Sequence, residues 1–81
     1  MVQHGSILLV EDDPSQQEYL VMFLERLDIS VDIAGTKKEA QYLLEKSITT
    51  NSPYKLIILD ILLPDGTGSE LLRLVRTDPL Y

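Results

Sequence analysis

The 81-residue chain carries 13 acidic residues against 7 basic ones, a formal net charge of −6, and no cysteine. That balance repels phosphate backbones and anionic membranes, which argues against direct nucleic-acid or membrane binding. The missing thiols exclude disulfides, thiolate metal sites and cysteine nucleophiles, and they permit a cytoplasmic setting. A hydrophobic fraction of 44% is that of a folded chain, and the length suits one small domain with a modest core.

Met1 to Gly5 has no basic segment followed by a long apolar one, so no signal peptide is expected. His4 lies in this polar tail and reads as inert. Ser6 to Val10 is a leucine and β-branched run that ends in Glu11-Asp12-Asp13, the pattern of a buried first strand. Asp13 with Pro14 and Ser15 offers helix-start chemistry, because a carboxylate caps orphan N–H groups and proline suits the first turn. Leu20, Phe23, Leu24 and Leu27 then recur at three- and four-residue spacing, which predicts an amphipathic helix of roughly 13 residues. Asp28 ends it.

Ile29 to Ala34 alternates apolar with polar, as an edge strand with one exposed face does. Thr36 is a predicted N-cap, with Glu39 completing a capping box and Ala40, Leu43 and Leu44 making the apolar stripe of a second helix. Lys37-Lys38 reads as a solvated helix start. Ser47 to Tyr54 is predicted to be a polar surface loop. Tyr19, Tyr42 and Tyr54 are scattered and read as ordinary contacts, not a stacking platform.

Leu56 to Leu59 shows no polar alternation and predicts a strand covered on both faces of a parallel sheet. It stops at Asp60, and Pro64-Asp65-Gly66 then makes a turn. Gly68-Ser69 opens a third helix, with Ser69 as its cap and Leu71, Leu72 and Val75 as its buried face, and Thr77-Asp78-Pro79 stops it. No apolar run approaches the roughly 20 residues of a membrane span. The order β-α-β-α-β-α implies parallel strands, right-handed crossovers and helices on both faces of the sheet.

In such sheets ligands bind beyond the C-terminal ends of the strands, where Asp60 and the Glu11-Asp12-Asp13 run both fall. If the first and third strands are neighbours, roughly 4.8 Å apart, these carboxylates converge. Like charges so close raise one another's pKa unless a cation neutralises them, and a hard divalent ion such as Mg²⁺ prefers oxygen ligands of this kind. An aspartate beside that ion can act as a nucleophile toward phosphorus. Taken singly each acid has a plainer reading, Asp65 as a turn former and Glu11 to Asp13 as a helix cap. The strand-one loop has no G-x-G-x-x-G or Walker lysine pattern, which argues against a nucleotide site.

The runs Ile7-Leu8-Leu9-Val10-Glu11-Asp12-Asp13-Pro14 and Leu56-Ile57-Ile58-Leu59-Asp60-Ile61-Leu62-Leu63-Pro64-Asp65-Gly66-Thr67-Gly68 together resemble a two-component response-regulator receiver domain. The resemblance implies an α/β, flavodoxin-like fold with strand order 2-1-3, and residues 1–81 as one receiver unit that is a signalling domain and not an enzyme in its own right. It matches Asp60 to the phosphoacceptor that takes a phosphoryl group from a sensor histidine kinase or phosphotransfer protein and passes the signal to an output partner. Glu11 and Asp12 match the acidic pair that holds Mg²⁺, the backbone carbonyl of Leu62 matches the remaining protein ligand, and Pro64 and Gly68 match the loop that shapes the site. Asp13 falls just after the pair.

Receivers of this family have five strands in the order 2-1-3-4-5. The chain supplies only the first three, so the expectation is a truncated receiver without the fourth-strand Thr or Ser and the fifth-strand Lys and aromatic residue. Lys55 stands at the wrong end of its strand to be that lysine. A second expectation follows: a phosphorylation-incompetent module that forms homo-oligomers through the bare third-strand edge, with Leu71, Leu72 and Val75 buried between copies. A haloacid-dehalogenase-like phosphatase would want an aspartate two residues after the nucleophile, where Leu62 stands.

Overall fold

The computed structural model describes residues 5–60 and 62–81. Its axis is β1 (Ile7–Val10), all four residues of which are buried. It lies between β2 (Val31–Ala34) and β3 (Leu56–Leu59), parallel to both, in the order β2-β1-β3. This is the three-strand, three-helix α/β arrangement expected of a flavodoxin-like receiver. His4 and Ile61, named in the sequence reading, lie outside the described residues.

Register decides which side chains share a face. Leu9 stands between Ile33 and Ile58, and Val10 between Ala34 and Leu59, so the two trios point to opposite sides of the sheet. The chain moves one way across the sheet from β1 to β2 and the other way from β2 to β3. Right-handed crossovers therefore put α1 (Pro14–Arg26) and α2 (Lys37–Thr49) on opposite faces.

On the α2 face, Leu8, Val10 and Ala34 form one cluster with Ala40, Leu44, Tyr54, Leu63 and Leu71, and Ile57, Leu59, Leu74 and Val75 pack against it. The helix α3 (Ser69–Thr77) closes this side. Each fully buried Leu contributes on the order of 1.5–3 kcal/mol. On the α1 face only Leu24 of the helix is buried. Of the stripe predicted to bury, Phe23 is 56% and Leu27 57% exposed, because α1 covers the three-stranded sheet by one edge of its apolar side.

The helix ends follow local chemistry. Asp13 Oδ1 accepts from Ser15 N at 2.9 Å and caps α1, and Asp28, at φ 61°, turns the chain out of it. Thr36 Oγ1 accepts from Glu39 N at 3.1 Å as predicted. The return bond of the box goes from Gly35 N to Glu39 Oε2, one residue earlier than the motif requires. Ser69 does not cap α3; Gly68 is the N-cap and makes no side-chain cap bond.

Four further expectations are corrected. Ser47 is no loop residue: α2 runs on to Thr49, and Ser47 is fully buried, donating to the Leu44 carbonyl at 2.6 Å and sharing a hydrogen bond with the Tyr81 hydroxyl. A helical i−3 carbonyl and a remote phenol satisfy a hydroxyl whose sequence neighbours look like a loop. The edge strand β2 turns Ile33 partly outward while half-buried Asp32 accepts from the Tyr54 hydroxyl at 2.6 Å and from Gly5 N at 3.0 Å. Its polar positions are therefore not its solvent face. Strand β3 is the edge that the order 2-1-3 implies, but it is not covered on both faces as expected: Leu56 is 52% exposed and the rest half-buried. Finally, Leu71 is already 2% exposed within its own chain and Leu72 is 42% exposed, so α3 cannot offer both to a second copy.

Candidate functional site

Two ladder bonds extend the sheet by one residue past its strands. Glu11 N donates to the Ala34 carbonyl at 3.0 Å, and Asp60 N donates to the Val10 carbonyl at 2.9 Å. The backbones of Glu11 and Asp60 are thus held side by side at the C-terminal edge of β1 and β3. The Gln17 side chain of α1 donates to the Glu11 carbonyl and pins the turn from the other side.

The run of three acids divides its labour. Asp13 faces the helix and caps it, whereas Glu11 and Asp12 turn toward Asp60. One carboxylate oxygen from each of Glu11, Asp12 and Asp60 lies within 4.8 Å of the others. Glu11 and Asp60 are half-buried and Asp12 is exposed, so the cluster opens to solvent on one side.

The Glu11 carboxyl is held above its ordinary value, first by a hydrogen bond with Asp60, then by burial, and then by the negative charges of Asp60, Asp12 and Asp13. Carboxylates crowded in this way are short of positive charge. The donor set is all oxygen, which fits a hard divalent cation and not a soft one.

The chain after Asp60 folds back as a small antiparallel hairpin that sequence periodicity did not predict, β4 (Leu62–Leu63) against β5 (Gly66–Thr67). Asp60 Oδ1 accepts from Leu62 N at 3.1 Å, which fixes the carboxylate plane. Leu63 is buried in the core and Leu62 projects outward, 74% exposed. Gly66 has φ 145°, a conformation L side chains rarely adopt, so the turn after Pro64-Asp65 needs glycine. At Gly68 a Cβ would stand 3.0 Å from Leu59 Cδ1 and 3.1 Å from the Asp60 carbonyl. Glycine there lets the start of α3 close onto the strand end.

Asp65, read from the sequence as a turn former, also reaches across the molecule. Its Oδ1 accepts from Lys37 N at 2.7 Å and its Oδ2 from Lys38 N at 2.9 Å, the first two amides of α2. These two bonds hold its carboxyl below the ordinary range. Lys37 Nζ, instead of pointing freely to solvent, pairs with Glu70 of α3 at 3.1 Å. No sequence signal announced this tie, because the partners are 28 and 27 residues apart.

At the opposite edge of the sheet lies a second polar network that sequence reading missed. Tyr54 donates through its hydroxyl to Asp32, and its amide donates to the Tyr81 hydroxyl at 3.0 Å. Burial first, then the hydrogen bond and charge of Asp32, hold the Tyr54 phenol well above the usual tyrosine range.

Comparison with known proteins places the chain. The family model of the response regulator receiver domain matches residues 7–80. Among curated proteins the chain is 42% identical over 66 residues to the transcriptional regulatory protein PmrA of Pectobacterium parmentieri, covering 82% of the chain and 28% of that relative. It is 40% identical over 73 residues to the response regulator ArlR of Staphylococcus haemolyticus, covering 90% of the chain and 31% of the relative. It is 35% identical over 71 residues to the transcriptional regulatory protein CusR of Escherichia coli, covering 88% of the chain and 29% of the relative. The chain spans under a third of the length of each of these relatives. No solved structure matches it. Among the described residues no helix is long and apolar enough to cross a membrane.

Proposed function

The chain belongs to the response regulator receiver domain family, and from that premise we propose that residues 1–81 form one receiver unit whose Asp60 accepts a phosphoryl group from a sensor histidine kinase or phosphotransfer protein. The observation that carries this reading is the convergence of Glu11, Asp12 and Asp60 at one strand edge. Glu11, Asp12 and Asp60 would hold Mg²⁺, with the Leu62 carbonyl as the remaining protein ligand that the family resemblance implies. When bound, the ion supplies positive charge against the negative oxygens of the transferring group.

The chain's own part is positional. The ladder bond to Val10 and the Leu62 amide present one carboxylate of Asp60 in a fixed plane. An Asp60 oxygen attacks phosphorus, the P–N bond to the donor imidazole breaks, and the ring nitrogen keeps the bonding pair and takes a proton. The unit is then a signalling partner, not an enzyme with a substrate of its own. It works in the cytoplasm, and the effector it informs is set by the protein around it.

Amide chemical shifts followed by NMR during Mg²⁺ titration test the metal half of this reading. Glu11 to Asp13, Asp60 and Leu62 should move together at roughly millimolar ion, as expected for a site with few protein ligands; unchanged shifts would end it. For the phosphoryl half, the chain and its Asp60→Asn variant are treated with acetyl phosphate and Mg²⁺ and weighed intact. A low yield of one phosphoryl adduct on the parent and none on the variant is expected, and equal labelling of the two would refute the assignment.

A second reading rests on a separate observation. Among the described residues strand β3 pairs on one side, with β1, and its Leu56 is 52% exposed. An apolar edge of this kind is a template for pairing with another chain, so the alternative to the phosphoacceptor reading is a phosphorylation-incompetent unit that acts as a self-associating interaction module. Sedimentation equilibrium at tens of micromolar, roughly where exposed apolar surfaces associate, should show a dimer; a monomer at that concentration removes this reading.

A further inference from the structure

We propose that Asp65 is a positioning residue for the carboxylate site, acting as a clasp between the hairpin that follows Asp60 and the start of α2. This inference deepens the metal-binding reading above and rests on it.

The hairpin is two residues per strand, joined through Leu62 opposite Thr67 and Leu63 opposite Gly66. A ladder so short is not stable alone in water. Its fixed points lie elsewhere: the Leu63 side chain in the core, the Leu62 amide on Asp60 Oδ1, the Thr67 hydroxyl hydrogen-bonded to that of Ser69 at 2.7 Å, and the two carboxylate bonds of Asp65. Of these, the Asp65 bonds are the charge-assisted pair, at 2.7 and 2.9 Å. They also act at the far end of the hairpin from Asp60, so together with the Leu62 amide they span its length.

The clasp has a firm anchor. Helix α2 follows β2 directly, and the Ala34 carbonyl at the end of β2 accepts from Glu11 N. The Asp65 carboxylate is therefore tied to the framework that holds Glu11, while Leu62 is tied to Asp60. Lys37 enters the tie through its amide, which donates to Asp65, while its ammonium is turned away to Glu70 on α3. Without the clasp, Leu62 and the plane of Asp60 lose the link that orients them toward Glu11 and Asp12.

Outer contacts that orient metal-binding groups change affinity about 10- to 100-fold when removed. Asp65→Ala should therefore weaken Mg²⁺ binding by about tenfold, the lower end of that range, because the hairpin keeps its other fixed points. Asp65→Asn retains one acceptor oxygen for the two amides and should fall between. Glu70→Gln removes the same charge from the same region and leaves the clasp bonds in place, and Thr36→Ala weakens the α2 cap without touching the hairpin; both should bind Mg²⁺ as the parent does. Equal weakening in Asp65→Ala and either control, or no weakening in Asp65→Ala, would overturn the proposal.

A metal-free readout separates this inference from the reading beneath it. In amide spectra without Mg²⁺, Asp65→Ala should shift the resonances of Asp60 and Leu62 as well as those of Lys37 and Lys38. Changes confined to Lys37 and Lys38 would overturn the clasp. If the parent chain shows no response to Mg²⁺, the metal reading fails, and the metal-free spectra alone decide whether Asp65 positions Asp60.

Discussion

The two faces of the sheet are built from similar residues and end differently. On the face of α2 and α3, eight buried residues from three strands' surroundings form one cluster, and it contains the fully buried Leu8, Val10 and Leu44. On the face of α1, Leu9 is 1% exposed but its register neighbour Ile33 is 40% exposed, and Tyr19, Met22, Phe23 and Leu27 of the helix are exposed as well. One helix lying across three strands shields the middle strand and leaves the flanks wet, whereas two helices also bury Ala34 on the β2 flank and leave Ile57 and Leu59 of β3 partly buried. Burial therefore depends on how many elements a face recruits, not on how apolar its residues are.

The sharpest way to break this comparison is to truncate one leucine or aromatic on each face. Leu44→Ala should cost about 2–5 kcal/mol, since a fully buried side chain leaves a cavity. Phe23→Ser should cost under about 1 kcal/mol, because a side chain already half in water loses little. Urea denaturation of both variants measures the difference, and equal losses would mean that the α1 face is covered in solution, by self-association or otherwise.

A smaller effect is expected where the closed face meets its polar network. Tyr54→Phe removes one acceptor contact from half-buried Asp32 and should cost about 1–2 kcal/mol, the usual range for leaving such a group short of a partner. In the parent, the Tyr54 phenol should not ionise over its ordinary range while the chain stays folded. Ultraviolet titration of the parent against Tyr54→Phe checks this; a full tyrosine's worth of absorbance change near the normal midpoint would contradict it.

The smallest effect concerns acid. Asp65 is fully exposed, and its carboxyl is held below the ordinary value of 3.8 by the Lys37 and Lys38 amides. A group whose folded pKa is lowered stabilises the fold above its unfolded value, and that contribution is lost as pH falls through the lower folded value. The melting-temperature difference between the parent and Asp65→Asn should thus shrink as pH is taken from about 5 to about 2.5. A difference that stays constant over that interval would show that charge on Asp65 is irrelevant to the clasp.

Much of the molecule could be read without coordinates. The spacing of Leu20 and Leu24 placed α1, Thr36 placed the start of α2, and the unbroken run Leu56 to Leu59 ending in Asp60 placed β3, because each depends on neighbours within a few residues along the chain. The alternation of strands and helices likewise implied parallel strands, and the order β2-β1-β3 agrees with the resemblance. The convergence of Glu11, Asp12 and Asp60 followed from the assumption that β1 and β3 are adjacent.

Other features depend on partners far along the chain, and local pattern does not encode them. Ser47 looked like the start of a loop and is buried because Tyr81 reaches it; Asp32 looked like a solvent position and is held by Tyr54; Asp65 looked like a turn residue and also caps the helix that begins at Lys37. Local propensity fixes which backbone forms are cheap over a few residues, so it is readable from neighbours. Which polar groups are satisfied, and which apolar faces are covered, depends on the assembled geometry, where contacts separated by some 20 to 35 residues meet only after the sheet has formed.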